Sequence, residues 1–67
     1  MTNMLSVSDF KETLDWCIET NDEAELRFMD MCLLHGEMSV TETDTRDARK
    51  MVSKAIKQVL IRNPDNA

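Results

Sequence analysis

The sequence is poor in the residues that build turns, staples and active sites. It has one glycine, one proline, one histidine, one tryptophan, two phenylalanines and no tyrosine among 67 residues. A single glycine excludes a glycine-rich phosphate loop, which needs several. Two cysteines, Cys17 and Cys32, do not make a disulfide framework. Each falls in an apolar helical pattern, where a free thiol behaves as a small hydrophobe. No apolar run approaches the length of a membrane span. The first ten residues, MTNMLSVSDF, carry no basic flank and no long apolar stretch, so they do not read as a signal peptide. We therefore expect a cytoplasmic protein without cofactor or small-molecule substrate.

What is present is helical. Hydrophobic residues make up 42% of the chain, more than disordered segments carry. Val7, Phe10, Leu14, Cys17 and Ile18 recur at three and four, the period of one helix face. Ser6 or Ser8 can cap this first helix, and Asp9 sits near the positive end of its dipole. TNDEAEL then marks a break and a restart. Asn21 or Asp22 can cap the second helix, and Asp22 with Glu25 has capping-box spacing. Gly36 supplies a left-handed end. In EMSVTETD, Val40 is the apolar anchor, and Thr41 with Asp44, or Thr43 alone, can start the third helix. Asn63 and Pro64 stop it.

Alternating β-branched runs are missing. The pattern predicts an all-α fold: one small three-helix domain over 1–67, with helices at about 7–20, 22–35 and 43–62 and a polar tail at 63–67. A helical hairpin with a displaced first helix is the alternative. So short a chain buries only about 60% of its unfolded surface, so dimerisation could complete it.

The charge is uneven. The net charge is −5. Residues 1–37 carry nine acidic and two basic side chains, net −7, and residues 38–67 carry four acidic and six basic, net +2. On the third helix Ala48, Met51, Val52, Ala55, Ile56, Val59 and Leu60 share one broad arc. Arg46, Lys50, Lys54 and Lys57 share the opposite one, the solvent face of an amphipathic helix. A nucleic-acid-binding regulator using these four cations is the alternative function. Against it, the stripe has no aromatic, Asn or Gln to stack on or read bases. Asp44 and Asp47 occupy the end that would meet a groove. The overall charge repels phosphate.

The second helix is apolar on two sides. Ala24, Phe28, Met31 and His35 share one, with Cys32 beside them, and Leu26, Met29 and Leu33 share nearly the other. Either the helix is central and both neighbours cover it, or Leu26, Met29 and Leu33 form a surface for another chain. Trp16 lies off the apolar stripe of the first helix and suits an interface anchor. Met29, Met31, Met38 and Met51 could add an adaptable contact surface.

Chemistry finds no foothold. His35 and Cys32 are three residues apart, without an orienting group or oxyanion site. Cys17, Cys32 and His35 lack zinc spacing, and ETDTRD lacks the calcium loop's glycine and terminal Glu. The expected function is that of an accessory or regulatory subunit, not an enzyme. It would bind a larger protein, itself, or both through Trp16, Leu26, Met29 and Leu33, with a basic partner surface matching its acidic half.

Overall fold

The computed structural model describes residues 3–62. The expected tail at 63–67 and the stop at Asn63 and Pro64 lie outside the described residues. Three helices carry the fold: α1 (Val7–Glu19), α2 (Glu23–Leu34) and α3 (Thr45–Arg62). Two three-residue strands join them, β1 (Asn3–Leu5) and β2 (Met38–Val40). The result is the expected small three-helix, all-α domain with a short parallel bridge.

The helix boundaries follow from local chemistry. Ser6 is the α1 cap: its Oγ accepts from the Asp9 N–H at 3.1 Å. Asp22 caps α2, accepting from the Glu25 N–H at 3.1 Å. The capping box is only half made, because the Asp22 N–H donates instead to the Cys17 carbonyl at 2.8 Å. That bond belongs to the end of α1. Asn21 N–H donates to the Ile18 carbonyl, and Asn21 itself is left-handed at φ 57°.

The end of α2 repeats the arrangement. Gly36 N–H donates to the Leu33 carbonyl and Glu37 N–H to the Cys32 carbonyl, with Gly36 at φ 76°. Both ends are Schellman motifs, one built on Asn and one on Gly. The two cysteines occupy equivalent positions, one turn before each end.

The start of α3 differs from expectation. Neither Thr41 nor Thr43 caps it. Asp44 Oδ1 accepts from the Asp47 N–H at 2.8 Å, and α3 begins at Thr45. Thr41 is drawn the other way, since its N–H donates to the Leu5 carbonyl at 2.8 Å and continues the strand pair. β1 and β2 run parallel, with Leu5 beside Val40. Neither strand was foreseen, because three residues carry no alternation and their pairing is remote in sequence. The pair clasps the chain around α1 and α2.

The core draws one stripe from each helix. Phe10, Leu14 and Cys17 come from α1, and Leu26, Met29, Cys32 and Leu33 from α2. Ala48, Val52, Ala55 and Val59 come from α3. The α3 seam is made of small side chains, which let it lie close to its neighbours. Val40 is buried in the same cluster, as its role of anchor predicts. Arg49 Nε donates to Asp30 Oδ1 at 3.0 Å, joining α3 to α2. Arg62 donates to the Ile18 carbonyl at 3.2 Å, joining the end of α3 to the end of α1.

Candidate interaction surfaces

The second helix is apolar on two sides, and the structure reverses their assigned roles. Leu26, Met29 and Leu33 are each no more than 2% exposed and face α1 and α3 within the same core cluster. They are not a surface. The exposed side carries Phe28, Met31 and Leu34, at 57–59% exposure, with Ala24 and His35 also open. A helix between two neighbours has one stripe to spare, and the inner one took the side where Cys32 joins Leu33. The outer side had its own mark in the sequence: Arg27 lies within its arc and pairs with Glu23 one turn earlier. An ion pair of this kind belongs on a solvated face.

Trp16 is 61% exposed. It stands on the outer side of α1 with the exposed carboxylates of Glu12, Asp15 and Glu19. Thus α1 presents an acidic ridge around one aromatic ring. Of the methionines considered for a contact surface, Met31 alone is exposed, Met29 is core, and Met38 and Met51 are half-buried. Leu60, placed by its spacing on the apolar arc, is about half exposed, and Ile61 is open at the end of α3.

Arg46, Lys50, Lys54 and Lys57 are all exposed along α3. Among the described residues none of the four makes an ion pair. Their neighbour Arg49 does, with Asp30. Between α2 and α3 runs a shallow groove with Leu34 and Ile56 as its apolar part and Arg46, Lys50 and Ser53 along its α3 edge. Two of the four stripe cations, Arg46 and Lys50, therefore edge a groove whose α2 side is made by Leu34 and Asp30.

The two thiols are withdrawn from these surfaces. Both thiols are free and buried. Burial pushes the Cys17 thiol up from its ordinary value, helped by the carboxylates of Asp22 and Glu25. Burial, Glu37 and Glu25 do the same for Cys32. His35 is exposed at the end of α2, and its backbone N–H donates to the Met31 carbonyl. Among the described residues no group of three His, Cys, Asp or Glu side chains could hold a metal ion. No helix of the described residues is long and apolar enough to cross a membrane.

Compared with protein-family models, with characterised proteins and with solved structures, the chain matches none.

Proposed function

We propose that this chain is a small cytoplasmic interaction protein, an accessory or regulatory subunit without chemistry of its own. One observation carries the reading. Phe28, Met31 and Leu34 form an exposed apolar face on a helix whose opposite face already completes the core. Side chains left out of a closed core contribute nothing to its burial, and contiguous apolar surface of this kind marks contact with another molecule. Trp16, ringed by carboxylates, is a second anchor of the type that dominates interfaces. The acidic ridge of α1 steers it towards a basic partner surface, which sets orientation and encounter rate. Free buried thiols suit a reducing compartment.

The test is the size at which the tagged chain elutes from extracts of its source cells. We expect a complex larger than the chain or a pair of it, lost in Met31→Asp while the purified variant keeps its helical circular dichroism. Elution at the chain's own size together with a purified chain that does not self-associate, or a complex indifferent to Met31→Asp, would overturn the reading.

Nucleic-acid binding remains the second reading, on the exposed cations Arg46, Lys50, Lys54 and Lys57 of α3, which make no ion pair among the described residues. It predicts salt-sensitive binding abolished by Lys50→Glu with Lys54→Glu.

A further inference from the structure

The exposed side of α2 has a self-complementary order. Ala24, Phe28, Met31, Leu34 and His35 are all exposed along it, within one arc of the helical wheel. Resting on the interaction reading above, we propose that its occupant is a second copy of this chain, with the two α2 helices antiparallel across a two-fold axis.

Charge selects this arrangement. The start of α2 is acidic, with Glu23 and Glu25 in its first turn. The end of α2 borders the groove where Leu34 lies with Arg46. Glu23 and Leu34 are eleven residues apart, about three full turns, so they share one flank of the helix. A two-fold axis perpendicular to α2 keeps flanks together and exchanges ends. It brings Glu23 of one copy beside the partner's Leu34 and the partner's Arg46, twice over. Arg46 makes no ion pair among the described residues, whereas Glu23 already holds Arg27 of its own helix, so in the dimer this carboxylate is shared between Arg27 and the partner's Arg46. A parallel pair would instead keep like ends together and bring Glu23 of one copy beside Glu25 of the other, acid against acid. The antiparallel pair also opposes the two helix dipoles, which the parallel pair would align.

Shape agrees. With the axis beside the midpoint between Met29 and Asp30, Phe28 faces the partner's Met31 and Ala24 faces the partner's His35. The small side chain thus meets the large ring, and an adaptable thioether meets the aromatic. Such an interface is isologous and closes at two copies, leaving no repeated sticky face.

Size sets the strength. Twelve residues of helix span about 18 Å. One face of that length buries less than the roughly 800 Å² per partner of a standard interface. The dimer is accordingly weak, with a dissociation constant on the order of 10 μM or above.

The experiment is light scattering of the purified full chain from about 10 μM to about 1 mM, the range a small interface demands. The mass should rise from 7.7 kDa towards twice that value. Met31→Asp should hold it at the monomer. Arg46→Glu or Glu23→Arg should each weaken association about tenfold, since each replaces attraction by repulsion at both ends. Mixing the two charge variants should restore the wild-type dimer, because each mixed pair regains both opposite-charge contacts. A monomer throughout, a dimer that survives Met31→Asp, or charge variants that fail to rescue each other would each overturn the proposal. A purified monomer together with a Met31-dependent complex in cell extracts would overturn the dimer alone and leave the interaction reading standing.

Discussion

Met29 and Met31 stand two residues apart on α2 and on opposite sides of it, one 2% and the other 59% exposed. The same side chain therefore does two different jobs within one turn. Met29→Ala removes buried contacts with the core and should cost about 2–5 kcal/mol. Met31→Ala removes surface and should stay within about 0.5 kcal/mol of wild type. Urea unfolding followed by circular dichroism, at a concentration where the chain is monomeric, measures both. Equal costs would mean that α2 is rotated from the position described.

The start of α3 offers a sharper local test. Asp44 accepts from the Asp47 N–H, while Thr43 makes no such bond. Asp44→Ala should cost about 1 kcal/mol, the usual value of an N-cap. Thr43→Ala should cost a few tenths at most. If Thr43→Ala is the more damaging, Thr43 is the cap and α3 begins one residue earlier, at Asp44.

These two comparisons also show how far the amino-acid pattern can be read. The caps at Ser6 and Asp22, the left-handed Gly36 and the core stripes of α1 and α3 are local matters. Each depends on residues within a few positions and is legible in the sequence, the two caps as one of a pair of candidates, Ser6 or Ser8 and Asn21 or Asp22. The choice between the two sides of α2 is not local. Leu26, Met29 and Leu33 differ little in composition from Phe28, Met31 and Leu34, and the packing of α1 and α3 decides between them. The ion pair of Arg27 with Glu23 was the available sign, and it was weak. The β1–β2 bridge is less legible still, because it joins residues 35 apart in sequence through only three pairs.

Two left-handed positions should respond in opposite senses. Gly36 stands at φ 76°, and a Cβ placed there meets nothing within 4 Å. The cost of Gly36→Ala is therefore conformational and not steric, about 1–2 kcal/mol. Gly36→Asn should recover part of it, as Asn21 does the same work at the end of α1. Glu42, at φ 68° in the turn before α3, already bears this strain. Glu42→Gly should be neutral or stabilising by up to about 1 kcal/mol. Thermal melts of the three variants give the order directly.

The buried thiols impose an alkaline limit on stability. Both Cys17 and Cys32 have folded values raised above the ordinary 9.0, chiefly by burial. In the unfolded chain each thiol ionises near its ordinary value, so above that pH the folded state holds more protons than the unfolded state. Stability contributed by the protonated thiols is then complete below about pH 8 and falls as pH rises through 9 towards the folded values. The double variant Cys17→Ala, Cys32→Ala should start from lower stability, having lost packing, yet lose less of it between about pH 8 and 10. Urea midpoints across that window measure the slope. At neutral pH the same burial predicts that iodoacetamide labels neither thiol in the folded chain and both in denaturant. Rapid labelling of either without denaturant would place that sulfur at the surface, and with it the turn of helix to which it belongs.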